Sequence, residues 1–194
     1  MLKVGLTGGI GSGKSTIAKI IETIGFPVFY SDFEAKNIVN SNLTIRNSLI
    51  ELFGPDIYCQ NILDRQRLSQ IIFNKPDQLQ IVNGIIHPEV RKKFHEWSES
   101  QEKRLVFNEA AILFETGAYK QFDKNILVSA PKSVRIQRVM ARDHVSYEDV
   151  EKRIGNQWED EIKIPLADYI IINDNFTPVL IQVERILQDL IALQ

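Results

Sequence analysis

Apolar and polar positions follow two rhythms along this chain. Residues 2–7, LKVGLT, form a short apolar, β-branched run that stops at a group of glycines, the signature of a buried strand. Ile17, Ile20, Ile21 and Ile24 then recur at helical spacing, Gly25 closes the segment, and residues 27–30, PVFY, predict a second strand. This βαβ opening predicts an α/β fold, a parallel sheet flanked by helices. From about residue 33 to 103 the period is helical throughout. Asp64 is placed to cap a helix carrying Leu68, Ile71 and Ile72. Pro76 opens another with Leu79, Val82 and Ile86, and Pro88 restarts it with Val90, Phe94 and Trp97. No strand is expected in this stretch.

Strands return at residues 105–107, 125–129 and 169–172, which are short, apolar and bounded by polar residues. Between them lie an arginine-rich helix over about residues 132–143 and a second helix that begins at Ser146. Asp149 three residues on completes a capping-box pattern there. Thr177 and Pro178 read as a cap and a first-turn proline, after which Val179, Val183, Ile186, Leu187 and Leu190 form one apolar face. There are no repeats and no low-complexity linker, so a single domain is expected.

Composition narrows the partners. Of 194 residues, 44% are hydrophobic and 25% charged, and the formal net charge is -2, which argues against a nucleic-acid backbone as the main ligand. No window approaches the roughly 18 apolar residues of a membrane span, and glycines interrupt the first apolar run too soon for a signal peptide. A cytoplasmic protein is expected. Cys59 is the only cysteine, which excludes an internal disulfide, and it reads as a small buried apolar residue.

The chemistry is carried by residues 8–15, GGIGSGKS, which fit G-x-x-x-x-G-K-[ST] between a predicted strand and a predicted helix. A loop whose amides all point inward around a phosphate chain needs backbone conformations and clearance that glycine supplies. The helix that follows adds its N-terminal dipole to the same anion. Gly9, Gly11, Ser12, Gly13, Lys14, Ser15 and Thr16 are therefore the candidate residues for a nucleoside triphosphate. Lys14 is placed to reach the β- and γ-phosphates and the Ser15 hydroxyl to ligate Mg2+. A plain strand-to-helix turn needs one or two glycines, not four and a lysine at this offset.

The longer string GLTGGIGSGKST resembles the start of dephospho-CoA kinases. The resemblance continues at LDRQRLSQIIF (63–73), HPEVR (87–91), AILFE (111–115), SAPKSVRIQRVMARD (129–143) and ADYIIIND (167–174), in the family's order over essentially the whole chain. It implies a P-loop kinase that moves the γ-phosphate of MgATP to the ribose 3'-hydroxyl of dephospho-CoA. It also implies a nucleotide-binding core at about residues 1–32, 104–137 and 158–194, a helical substrate insertion at about 33–103 and a lid at about 138–157.

The same resemblance assigns roles residue by residue. Asp32 becomes the base that accepts the hydroxyl proton, where the residue pattern alone equally allows a helix N-cap. Ser31 stands where the family's D-A-D pattern has its first aspartate. Arg65, His87 and Arg91 fall on the substrate side, against the plainer readings of surface charge and core histidine. Glu109 ends the third strand of the sheet near the metal, acting through water, where the family usually has aspartate; simple solvation is the alternative. Ala111 replaces a family proline. Arg135, Arg138 and Arg142 lie on one helical face by their i, i+3, i+7 spacing. Arg138 and Arg142 match the family's lid, Arg135 is expected to face solvent, and a solvated face is the default for all three.

Two rivals remain. A nucleoside monophosphate kinase would share loop, lid and fold. A GTP-binding switch protein would account for Asn74-Lys75-Pro76-Asp77, an N-K-x-D string, yet no aspartate is followed three residues later by glycine.

Overall fold

The computed structural model describes residues 1–72 and 75–193. Strand β1 (Leu2–Thr7) leads through a loop into helix α1 (Lys14–Ile24), and β2 (Val28–Tyr30) follows. The middle of the chain contains α2 (Ser31–Ser41), α3 (Leu43–Phe53), the short strands β3 (Tyr58–Cys59) and β4 (Ile62–Leu63), α4 (Arg65–Ile72) and α5 (Pro76–Glu99). The remainder is β5 (Leu105–Glu109), β6 (Lys124–Ser129), α6 (Lys132–Asp143), α7 (Tyr147–Ile154), the one-turn α8 (Asp160–Lys163), β7 (Tyr169–Ile172) and α9 (Val179–Ala192). The chain divides into two compact units, Met1–Tyr30 with Gln101–Gln194, and Ser31–Ser100.

The first unit is a five-stranded parallel sheet in the order β2-β5-β1-β6-β7. Alternate strand residues face opposite sides. Val4, Leu6, Leu105, Phe107, Ile126, Val128 and Ile171 pack on one face against Ile17, Ala18 and Ile21 of α1 and Val183, Ile186, Leu187 and Leu190 of α9. Each such aliphatic side chain contributes on the order of 1.5–3 kcal/mol by leaving water. A second cluster joins α6 to α7 through Ile136, Val139, Val150 and Ile154, and Lys132 pairs with Glu151 across the same two helices at 2.9 Å. The register sets Leu6 of β1 beside Glu109, the last residue of β5, so the carboxyl ends of these two strands line up where the loop after β1 begins. That edge is where open α/β sheets bind ligands. At the sheet's far side Gln182 of α9 returns its side-chain amide to β7. It accepts from Ile172 N at 2.8 Å and donates to Ile172 O at 2.9 Å.

The second unit is helical around Ile38, Val39, Ile45, Leu49, Ile57, Leu63, Leu68, Val82, Val90 and Phe94. Asn42 caps α3 by accepting from Thr44 N and Ile45 N, and Asp64 accepts from Arg67 N at 2.9 Å, the expected cap of α4.

Several expectations are corrected. Residues 58–63 form a two-stranded hairpin, too short to show a period-2 pattern, whose turn places Gln60 and Asn61 at φ of 49° and 68°. Cys59 lies on it exposed rather than buried. Pro88 does not restart a helix: α5 runs unbroken for 24 residues. A proline inside a helix forgoes one backbone hydrogen bond and crowds the carbonyl four residues earlier, and the helix nonetheless continues through it. Leu79 is exposed rather than part of the apolar face. Thr177 does not cap α9; Asp174 organises the turn by accepting from Phe176 N at 2.9 Å and Thr177 N at 2.7 Å. Ser146 does cap α7, accepting from Asp149 N. Asn74 of the N-K-x-D string and Phe73 lie outside the described residues. Among those described, no helix is long and apolar enough to cross a membrane.

Candidate active site

The loop between β1 and α1 is a closed turn at the carboxyl edge of the sheet. Ser12 N donates to Gly9 O at 3.0 Å, and Thr16 N donates to Gly13 O at 2.9 Å as the helix begins. Gly13 has φ of +92°, and the side-chain amide of Asn173 fills the space that a Cβ there would need. Only glycine meets both conditions. Gly9 is constrained by packing alone, since a Cβ would run into the Arg135 guanidinium.

Lys14 and Ser15 open α1 with their functional groups on one partner. Lys14 Nζ lies 2.6 Å from Glu109 Oε1, and Ser15 Oγ donates to the same oxygen at 3.3 Å. Glu109 is 3% exposed, so simple solvation at a strand end does not describe it. A buried carboxylate is retained as a charge when a cation and a hydroxyl meet it. Tyr30, beside Glu109 in the β2–β5 register, donates to Glu22 Oε2 at 2.8 Å. Burial, then the Glu22 and Glu109 charges, push its phenol well above the usual range.

Helix α6 supplies the loop's backing. Arg138 donates through Nη1 to Gly11 O and Ser12 O, both at 3.3 Å, and through Nη2 to Asn173 O at 3.1 Å and to the Asn175 side chain. Asn173 Nδ2 also donates to Ser12 O at 2.8 Å. Arg135, expected to face solvent, is instead 2% exposed and donates through Nε to Ile10 O at 3.0 Å. Periodicity gives the face of a helix but not what covers it, and here the phosphate loop does. Arg142 extends past the loop. It is largely exposed and makes a two-point contact with Asp143, which Arg153 joins at 2.8 Å. These arginines hold the Asp143 carboxyl at about 2.

Other loop contacts escape motif reading. Gln157 accepts from Ile10 N at 2.8 Å and donates to Ala111 O, and the neighbouring Glu115 pairs with the fully buried Lys163 at 3.0 Å. Asn173 falls inside the ADYIIIND string and Asn175 just past it, and their place right after the last strand of the sheet is the signal that could have singled them out.

The remaining candidates lie in the second unit. Asp32 sits in the first turn of α2, inside a helix that starts at Ser31, so it is not the N-cap. Arg65 begins α4, exposed, and donates to Lys36 O at 3.0 Å. His87 and Arg91 share one face of α5 at i, i+4. Burial of His87, and secondarily the Arg91 charge, lower the imidazole's proton affinity.

A parallel sheet whose first strand feeds a glycine-rich loop, a lysine and serine at the following helix start, and a buried carboxylate beside both define a P-loop nucleotide-dependent phosphotransferase. The family model for dephospho-CoA kinase matches residues 2–178. A Porphyromonas gingivalis dephospho-CoA kinase is 41% identical over 97% of this chain and 94% of its own. One from Bacteroides fragilis is 38% identical over 94% and 89%. A crystal structure from Thermus thermophilus superposes with a TM-score of 0.85 at 35% identity, covering 98% of this chain and 96% of that one. The chain belongs to the dephospho-CoA kinase family.

Proposed function

We propose that this chain phosphorylates the ribose 3'-hydroxyl of dephospho-CoA with ATP to give CoA and ADP, the last step of coenzyme A biosynthesis. The observation that carries the chemistry is the Lys14–Glu109–Ser15 cluster at the mouth of the phosphate loop; family membership carries the acceptor.

The residues divide the work. The phosphate loop, Gly9 to Thr16, and the start of α1 receive the triphosphate. Lys14 moves from Glu109 to the β- and γ-phosphates and offsets their charge. The 3'-oxygen forms the new bond to the γ-phosphorus, the bond to the β-bridging oxygen breaks, and the hydroxyl proton passes to the Asp32 carboxylate. Arg65, His87 and Arg91 contact the acceptor. Arg142, carried on the lid at about residues 138–157, leaves Asp143 to meet the transferring phosphate, and Arg138 holds the loop beneath it.

The donor set fits Mg2+: two hard oxygen groups, Ser15 Oγ and Glu109 Oε1, lie 3.3 Å apart. Among the described residues no cluster of three His, Cys, Asp or Glu supplies a full cage. That is the pattern of a metal held largely by substrate phosphates and water. Ser15 would ligate it directly and Glu109 through water; when bound, it would neutralise phosphate charge.

The test is a turnover assay of the purified protein with ATP and Mg2+, offering dephospho-CoA and nucleoside monophosphates as competing acceptors. ADP release coupled to CoA formation is expected. Turnover only with a monophosphate would overturn the assignment.

A further inference from the structure

Arg135 carries a buried guanidinium to which the reaction above gives no role. Its Nε holds Ile10 O at 3.0 Å, and Nη1 lies 3.7 Å from Asp160 Oδ1. Asp160 is fixed in turn through its other oxygen, which accepts from Ser129 Oγ at 2.6 Å. The Arg135 guanidinium fills the volume that a side chain on Gly9 would need, and its backbone carbonyl does the same for Gly11. Nη2 has no hydrogen-bond acceptor among the described residues. Arg135 therefore meets three consecutive residues of the phosphate loop from behind, Gly9 and Ile10 through its side chain and Gly11 through its backbone, and its guanidinium lies beside one carboxylate that links α8 to β6.

The consequence for the loop follows from the planar trans peptide. Carbonyl and amide of one peptide unit point in opposite directions. Drawing the Ile10 carbonyl to the back of the loop turns the Gly11 N–H to the front, where the phosphate chain binds. Arg138 acts similarly on the Ser12 carbonyl, which turns the Gly13 N–H away from it, while the Ser12 N–H is held inside the loop by Gly9 O. A guanidinium can hold a carbonyl and a carboxylate at once because its donors form a rigid fork. An ammonium at the same place is a single point charge.

We propose that Arg135 is a positioning residue for the phosphate loop, held by Asp160, and that it sets the affinity of the loop for the polyphosphate chain without touching the acceptor. The proposal rests on the reading that this loop binds ATP.

The test uses Arg135→Gln, Arg135→Lys and Asp160→Asn in the full chain. Melting temperature, affinity for MgATP and for inorganic tripolyphosphate by calorimetry, and KM for each substrate are measured. Losing a charge-assisted hydrogen bond to the loop should weaken both MgATP and tripolyphosphate about tenfold in Arg135→Gln. The KM for dephospho-CoA should stay within about twofold, since that site keeps its contacts. Arg135→Lys should fall between Arg135→Gln and wild type, and Asp160→Asn should move both affinities in the same direction by less. If Arg135→Gln does not fold, the lysine and Asp160 variants carry the same comparison. A folded variant that binds both ligands like wild type overturns the proposal. So does a parallel rise in both KM values that tracks lost melting temperature. A wild-type protein that binds neither ligand would instead overturn the nucleotide reading beneath it.

Discussion

Lys14 Nζ rests 2.6 Å from Glu109 Oε1, so the cation offered to a nucleotide is already in use as the counter-ion of a buried carboxylate. Removing Lys14 therefore strands a charge as well as deleting the group proposed to meet the phosphates. We predict that Lys14→Ala lowers turnover by about 10²-fold or more and also lowers stability, by about 3 kcal/mol, because Glu109 loses its cation. Adding Glu109→Gln should restore most of the melting temperature and none of the turnover. Thermal melts and kcat for both variants check this; a single variant as stable as wild type would mean that Glu109 has another compensating partner.

Asp32→Asn keeps the side chain's shape but removes the proposed proton acceptor. The expected result is a fall in kcat of about 10²-fold or more, with ATP affinity nearly unchanged. Loss of a first-turn acidic residue should cost only about 0.3–1 kcal/mol of stability. Unchanged kcat would reduce Asp32 to a helix-terminal charge.

The two arginines assigned to the lid separate in their surroundings, and their variants should too. Arg138→Ala should raise the KM for ATP, since Gly11 O loses its donor and Ser12 O keeps only Asn173 Nδ2. Arg142→Ala should lower kcat with little change in melting temperature at neutral pH, because an exposed ion pair contributes only about 0–1 kcal/mol. Acid titration gives a second readout. Arg142 and Arg153 depress the Asp143 carboxyl to about 2 in the folded chain. Its contribution to stability is present above the unfolded value, near about 4, and is lost as pH falls through the folded one. The double variant Arg142→Ala, Arg153→Ala should flatten that part of the acid-unfolding curve. Identical curves would show that the arginines do not hold Asp143 in solution.

His87 should titrate below a free imidazole, because burial first and the Arg91 charge second disfavour the cation. Between the folded and unfolded values the unfolded chain binds more protons, so this group removes stability as pH falls below about 6.5. Arg91→Ala should raise the folded value without restoring it, since burial remains. A titration followed by NMR decides this. At neutral pH His87 is then neutral rather than a cation; a His87 that is mostly protonated at pH 7 would contradict that.

How much of this was legible beforehand depended on reach along the chain. The opening βαβ and the phosphate loop lie within some 30 contiguous residues, where spacing and glycine content carry the physics directly. The apolar stripe of α9 was equally plain, with Val183, Ile186, Leu187 and Leu190 all buried. Arg135 was misread because its partners, Ile10 and Asp160, are 125 and 25 residues away and periodicity names no neighbour. The hairpin at Tyr58–Cys59 and Ile62–Leu63 escaped because two residues cannot display an alternation. Pro88 misled because the preference of proline for helix starts is a local rule, and α5 carries this one in its interior.

The amide of Gln182 gives the sheet something that no catalytic argument requires. Strand β7 ends the row, and such an edge presents unpaired peptide groups that another chain could extend. By answering the N–H and C=O of Ile172 with one side chain, Gln182 imitates the next strand for a single residue and ends the pattern there. Ile170 and Ile172 are partly exposed along the same edge and would welcome an intruding strand. The residue thus guards against self-association: Gln182→Val should leave the fold and its chemistry intact while making concentrated protein aggregate, a change that light scattering would register long before an activity assay.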